Sequence, residues 1–438
     1  MKNQKSKKII ELALPATIEN LLQTLVGFVD TLMVAKIGLA AVTAVGVANS
    51  ILNVYLAVFI ALSVGTSSLI AQKLGSLKKE DARIIARQST VIACGMGLLF
   101  AAGTLLFGKQ MLQMMGATNN VLDYSLQFFY VVGGASIFIA LMTVFGSILR
   151  ATGDTKTPMK VSIIINVLNI ILNYVFIFGF GPIPALGVVG TAIGTTLSRF
   201  IGTILLYKKI QLSEVHFSIR SLANKSNYRP LIELSIPATL ERMVMRIGQV
   251  VYFGLIVGIG SVTFAAHSIA GNIESFTYMP AYGLATAATT LVGMSIGSKN
   301  FEDVKEYAYQ STKIGVAVLS ICGVGLFFGA PFFAQLFTTS PEAINQVVVA
   351  LRIDAFIQPA LATSLILTGA LQGMGDTKTP LYSTAFGMWV IRIIGVIVLG
   401  KWLSMGIAGI WISIGIDLYL RSIFLAYKFR MNLNKLSG

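Results

Sequence analysis

Charge is scarce in this chain. Of 438 residues, 12% are Asp, Glu, Lys or Arg and 55% are hydrophobic, and mean hydropathy is +0.78. Soluble proteins carry roughly 25% charged residues, and a surface of this size cannot be coated with so few. That excludes a soluble globular protein and places the chain in a membrane. Histidine is rarer still: His216 and His267 are the only two, so a histidine-based catalytic centre or zinc site lacks its ligands. Cys94 and Cys322 both lie in apolar runs, with neither metal-ligand spacing nor the numbers of a disulfide framework. No phosphate-binding loop of the Gly-x-x-x-x-Gly-Lys-Ser/Thr type is present, so nothing marks ATP as an energy source. Acidic residues are the minority charge, 18 against 33 basic, for a net charge of +15.

What the chain has is long apolar runs. A membrane-crossing helix needs about 20 mostly apolar residues, and the runs predict twelve of them. The first six fall near 9–35, 42–71, 88–108, 121–148, 159–179 and 186–207; the second six near 231–257, 263–296, 311–332, 347–372, 381–400 and 406–427. The runs are too long for barrel strands and do not alternate with period two. Met1 to Lys8 is short and basic like the start of a signal peptide, but the apolar run behind it is too long and has no small-residue cleavage site; it is expected to remain as the first span. The basic residues sort by side. Twenty-four of the 33 fall in one set of loops and three (Lys36, Lys109 and Lys401) in the other. This asymmetry predicts a multi-pass protein of the cytoplasmic membrane with both termini cytoplasmic. The positive charge then faces anionic lipid, and nucleic acid is not expected as a partner.

The chain is written twice. Gly153-Asp154-Thr155-Lys156-Thr157-Pro158 returns letter for letter as Gly375-Asp376-Thr377-Lys378-Thr379-Pro380, 222 residues on. The same offset carries Pro15-Ala16-Thr17 onto Pro237-Ala238-Thr239, Glu19 onto Glu241 and Gln88-Ser89 onto Gln310-Ser311. The register slips by three near the fifth outer loop, where Gly187 and Gly190 match Gly406 and Gly409. Six spans per half is an even number, so both halves enter the membrane in the same direction, as a parallel repeat. The fold expected is an all-α integral membrane protein of twelve transmembrane helices. Residues 1–207 make the N-terminal six-helix lobe, 208–230 a basic cytoplasmic linker and 231–438 the C-terminal six-helix lobe. Two such lobes are expected to form a V around a cavity that opens alternately to each side.

Several stretches together resemble the multidrug and toxic-compound extrusion (MATE) family. They are the run from Leu14-Pro15 to Gly27-Phe28-Val29-Asp30-Thr31, the loop Arg150 to Pro158 with its second copy, and Asn166-x-x-Asn169-x-x-x-Asn173-Tyr174. The resemblance covers nearly the whole chain. It implies a secondary antiporter, not an enzyme, that exports cationic or amphipathic organic compounds in exchange for Na+ or H+. No other cofactor is implied, and a monomer among membrane lipids is expected. The alternative is a flippase for a lipid-linked precursor with a related fold; such flippases often have extra spans and a strongly cationic cavity. A membrane-embedded enzyme or receptor fits less well, because no metal-binding constellation and no large extramembrane domain are present.

Polar residues inside spans carry the candidate sites, since a charge at the bilayer centre costs about 2.5–3.5 kcal/mol on insertion scales and must face a cavity or a partner. Glu19, Gln23, Gly27 and Asp30 lie on one face of the first helix, and Asn166, Asn169 and Asn173 on one face of the fifth. By the resemblance, Asp30, Asn169, Asn173 and Thr191 stand where family members build a cation site. Oxygen ligands suit a hard cation such as Na+, and a carboxylate taken out of water can carry a proton instead. Many members have an aspartate where this chain has Asn173, so a single carboxylate remains. No metal beyond that Na+ is expected. In the second half, Asp30 maps to Tyr252, Asn169 to Ile391 and Asn173 to Gly395, and the cluster is lost. Glu241, Gln249, Glu274 and Tyr278, with Glu19 and Gln23, are the candidates for a substrate cavity, where carboxylates beside aromatic faces would attract an organic cation. Structural ion pairing to Arg242, Arg246 or Arg392 is the competing role for the glutamates. Pro15 and Pro237, one turn before Glu19 and Glu241, are the expected helix bends.

Overall fold

The structure, a computed structural model, describes residues 2–438. Among these there is no strand, only an isolated bridge between Phe180 and Ile183. The first half consists of α1 (Lys2–Ala35), α2 (Leu39–Gly75), α3 (Lys79–Met114), α4 (Asn119–Gly134), α5 (Ser136–Ala151), α6 (Lys156–Phe178) and α7 (Val188–Gln211). The second consists of α8 (Arg229–Ile259), α9 (Ser261–Thr277), α10 (Met279–Gly297), α11 (Phe301–Phe337), α12 (Pro341–Gly373), α13 (Lys378–Trp402) and α14 (Ile407–Ser437).

The repeat sets the helix boundaries. Adding 222 to the ends of α2 gives Ser261 and Gly297, the start of α9 and the end of α10; adding it to the start of α4 and the end of α5 gives Pro341 and Gly373, the ends of α12. Each half breaks one helix that the other keeps whole. In the second half the break is at Tyr278, whose amide donates to the Glu274 carbonyl at 3.2 Å. Pro280 follows in the first turn of α10, where a missing N–H breaks no bond. In the first half the break is at Ala135, with α4 and α5 bent by 49°. Among the described residues ten helices are long and apolar enough to cross a bilayer, and α4 with α5 makes up to eleven. The pair α9 and α10 takes the place of the eighth expected span, 263–296.

The repeated loop is a helix-stop and helix-start signal in both copies. Gly153 and Gly375 have φ of +88° and +85°, a left-handed conformation open to glycine at the end of a helix. The following aspartate then accepts the amide of the next helix: Thr157 N–H donates to Asp154 Oδ1 at 2.9 Å, and Thr379 N–H to Asp376 Oδ1 at 2.9 Å. Gly187 and Gly406, matched across the slipped register, both have φ +59° ahead of α7 and α14.

The chain forms two compact units. A first-half unit comprises Ile18–Leu74 and Lys78–Ser235, and a second-half unit comprises Met1–Thr17, Gly75–Leu77 and Ile236–Gly438. In the second-half unit, Ile9, Leu12 and Ala13 at the start of α1 are buried with Leu284, Leu291 and Leu425. Lys5 fastens that start to α11 by ion pairs of 2.6 Å to Asp303 and to Glu306. In the first-half unit Leu231 of α8 is buried with Phe59 and Phe145, and Gln88 Nε2 donates to the Asn227 carbonyl at 2.9 Å. Asn227 is the repeat partner of Lys5. Lipid offers no hydrophobic drive between helices, so close packing must hold them. On α12, Gly369 and Gly373 supply it: a Cβ on either would stand 2.5 Å from the carbonyl of Ala285 or Thr289. Thr289 Oγ1 uses the proximity to donate to the Gly369 carbonyl at 2.9 Å.

Candidate functional site

The first-half unit brings Asp30, Asn169 and Asn173 together. Asn169 Nδ2 donates to Asp30 Oδ2 at 2.9 Å and Asn173 Nδ2 to Asp30 Oδ1 at 2.9 Å. The spacing of four on α6 puts both amides on the side that meets α1. Asn169 and Asn173 are buried, as is Thr191 on α7. The amide oxygens of both asparagines and the Thr191 hydroxyl are buried without hydrogen-bond partners. The two amide oxygens belong to side chains that touch the carboxylate, and carboxylate and amide oxygens are donors that a hard cation takes. As arranged, the amides turn their N–H groups to Asp30, so a bound cation would require them to turn their oxygens inward. Asn173 fits because Gly194 faces it: a Cβ there would stand 2.2 Å from Asn173 Oδ1.

One partner of Asp30 was not among the sequence candidates. Arg199 on α7 acts on Asp30 through its charge, and its Nη1 is buried without a hydrogen-bond partner. The signal was available, since Thr191, Thr195 and Arg199 follow one another at spacings of four. Asp30 therefore accepts from two amides and feels the charge of one guanidinium.

Glu19 and Gln23, expected to share a cavity, differ in environment. Glu19 is buried; Arg150 Nη1 donates to its Oε2 at 3.2 Å and Ser162 Oγ to its Oε1 at 3.1 Å. Gln23 is exposed. In the second-half unit Thr384 Oγ1 donates to Glu241 Oε1 at 3.1 Å, and Arg246 Nη1 donates to Gln249 Oε1 at 3.4 Å. Glu274 and the buried Asp354 on α12 act on each other electrostatically, and Gln358 Nε2 donates to Asp354 Oδ2 at 2.9 Å. Tyr278 packs edge-on against Tyr282 with ring centroids 5.4 Å apart. Pro15 and Pro237 lie inside α1 and α8, which continue past them.

The repeat partner of the Asp30 cluster has different chemistry. Tyr252, in place of Asp30, makes a 3.2 Å hydrogen bond with His267 Nε2, and the Arg392 guanidinium lies 5.9 Å from its ring centroid. Gly395, in place of Asn173, would clash with Ser413 if given a Cβ, the distance to Ser413 Oγ being 2.6 Å. Ser413 stands in place of Gly194 under the slipped register. The volume has changed sides: large against Gly in one half, Gly against a side chain in the other. The charge sits elsewhere, with Asp417 taking Arg392 at 2.9 Å and Arg421 at 2.7 Å. Neither Asp417 nor Arg421 was a sequence candidate. Among the described residues no group of three or more His, Cys, Asp and Glu could hold a metal.

Comparison with known proteins follows the same division. The MatE family model matches residues 15–175 and again residues 237–398. A probable multidrug resistance protein NorM of Thermotoga maritima is 31% identical over 418 residues, 95% of this chain and 90% of that one. An uncharacterized transporter YisQ of Bacillus subtilis is 31% identical over 97% of this chain and 94% of its own. Among solved structures, an outward-facing multidrug resistance MATE family transporter of the MOP superfamily superposes with a TM-score of 0.92 at 24% identity, covering 99% of this chain and 97% of the other.

Proposed function

The chain belongs to the MATE family of multidrug efflux transporters, and is a transporter and not an enzyme; on that premise we propose that it is a secondary antiporter of the cytoplasmic membrane. It exports cationic or amphipathic organic compounds in exchange for Na+ or H+. The observation that carries this reading is the Asp30 carboxylate, held inside the first-half unit by Asn169 and Asn173 with unpartnered oxygens beside it. The coupling cation binds at Asp30, the two asparagines and Thr191, and competes there with Arg199. When Asp30 takes a proton or a sodium ion, the amides and the guanidinium lose their anion. α1 is then free to move against α6 and α7, with Pro15 as its weak point. A device that trades one cation for another needs such a switch, because each bound species must favour a different arrangement.

The organic substrate meets the carboxylates and aromatic faces of the second-half unit, Glu241, Glu274 and Tyr278, with Gln249 beside them. Glu19, engaged by Arg150 and Ser162, positions α1. Gln23 is exposed and free to contact substrate. The transporter acts as a monomer with both termini cytoplasmic.

Efflux of a fluorescent organic cation, in vesicles with an imposed sodium or proton gradient, tests this reading. Wild type should respond to one gradient, and Asp30→Asn should lose that response. Asp30→Asn transport equal to wild type would remove the ion site, and wild-type transport indifferent to both gradients would remove antiport.

A further inference from the structure

An exposed arginine and an apolar groove lie side by side in the second-half unit, where α11, α12 and α14 pack. Arg352 is on α12 and exposed. Its Nε donates to the Phe327 carbonyl at 3.3 Å, and its guanidinium lies 5.3 Å from the Phe327 ring centroid. Among the described residues no carboxylate forms an ion pair with it. Phe327 in turn meets Phe356, one helical turn after Arg352, with ring centroids 5.9 Å apart. Phe356 opens the groove, a space of about 420 Å³ lined by Ile353, Phe356, Ile357, Ile416, Tyr419 and Leu420. Tyr419 Oη spends its donor on the Phe356 carbonyl at 2.5 Å, which leaves an apolar wall.

Depth decides what the arginine meets. Phe327 lies about 12 Å from the midpoint of α11 toward Phe337 at 1.5 Å per residue, and a bilayer's hydrocarbon reaches about 15 Å from its midplane. Ile321, Val324, Phe328 and Phe332 on α11 are exposed around it, as a lipid-facing surface requires. An arginine among such residues reaches for the interface, and the anion available there is a phospholipid phosphate, which a guanidinium binds in bidentate fashion. The acyl chain below that phosphate has the groove beside it. The first half has no equivalent: Tyr130, Leu105 and Gly134 stand where Arg352, Phe327 and Phe356 stand in the second.

We propose that Arg352 and the groove between α12 and α14 form a binding site for one anionic phospholipid, its phosphate on Arg352 and one acyl chain in the groove. Native mass spectrometry of the purified transporter tests it, with phosphatidylglycerol as the probe and diacylglycerol as the phosphate-free comparison. Wild type should retain one phosphatidylglycerol in preference to diacylglycerol. Arg352→Gln should lower that occupancy about tenfold, the weight of a hydrogen bond to a charged group, and Arg352→Lys, which keeps the charge but not the bidentate fork, should fall between wild type and Arg352→Gln. Ile416→Trp, which fills the groove from α14, should remove both lipids while leaving the arginine in place. Unchanged phosphatidylglycerol retention in Arg352→Gln, or equal retention of diacylglycerol by wild type, would overturn the phosphate contact. Unchanged retention in Ile416→Trp would overturn the groove, and lipid-free dimers lost in Ile416→Trp would make a second copy of this chain its occupant.

Discussion

Ser162 donates to Glu19 at 3.1 Å, and 222 residues on Thr384 donates to Glu241 at 3.1 Å. The hydroxyl-to-glutamate bond is part of the duplicated scaffold, made once in each half, between α1 and α6 and between α8 and α13. Because serine serves in one half and threonine in the other, Ser162→Thr should be tolerated. Ser162→Ala should cost about 1 kcal/mol, the usual net weight of a hydrogen bond. Thermal unfolding of the purified variants measures both, and equal melting of Ser162→Ala and wild type would show that Arg150 alone holds Glu19.

The repeated loops make a graded prediction. Asp154→Ala removes the acceptor of the Thr157 amide, a capping loss of about 0.5–2 kcal/mol. Asp376→Ala removes the same contact and more, because Asp376 Oδ2 also accepts from Thr379 Oγ1 at 2.5 Å and from Asn432 Nδ2 at 2.6 Å. Asp376→Ala should therefore melt lower than Asp154→Ala, with transport per folded molecule unchanged in both. Lost transport at full stability would give the loops a role beyond joining helices.

Much of this scaffold could be read from residue order. Twelve spans, the offset of 222 and the pairing of Glu19 with Glu241 follow from apolar runs and a repeated loop, which are local properties of the chain. So does the single face of Asn169 and Asn173, which a spacing of four dictates. What could not be read is which buried charges meet across helices. Arg199 acts on Asp30, Asp354 on Glu274, and Arg392 reaches Asp417, each through the packing of different helices; only the pair of Asp417 and Arg421, four residues apart on α14, is local. The two helix breaks are a mixed case. Pro280 announces the one at Tyr278, whereas Ala135 sits in an apolar run with no proline beside it.

The opposition of Gly194 and Asn173 makes the candidate ion site sensitive to one methyl group. Gly194→Ala would place a Cβ 2.2 Å from Asn173 Oδ1, so the amide must shift and its bond to Asp30 must lengthen. Overpacking of this kind costs roughly 1–3 kcal/mol. Gly194→Ala should lower the melting temperature and reduce gradient-driven efflux. The parallel change Gly202→Ala, which crowds the flexible Ile165 side chain elsewhere on α7, should affect stability more than coupling. Equal efflux in the two variants would separate Asn173 from the transport step.

Arg199 and Asp30 should be energetically coupled. Each single change leaves a charge without its counter-charge: Asp30→Asn strands the guanidinium, and Arg199→Gln leaves the carboxylate with amide donors alone. The double variant removes both charges. If the two interact, the double variant should be less destabilised than the sum of the singles, by about 0.5–3 kcal/mol, the range found for residues in contact. Melting of the four proteins closes the cycle. The same four, assayed for cation-driven efflux, test the competition between Arg199 and the coupling ion. Arg199→Gln should bind that ion more tightly and release it more slowly, so efflux should saturate at a lower ion concentration with a lower maximal rate. Additive melting effects would mean that Arg199 does not act on Asp30, and unchanged ion dependence in Arg199→Gln would leave the exchange to the amides alone.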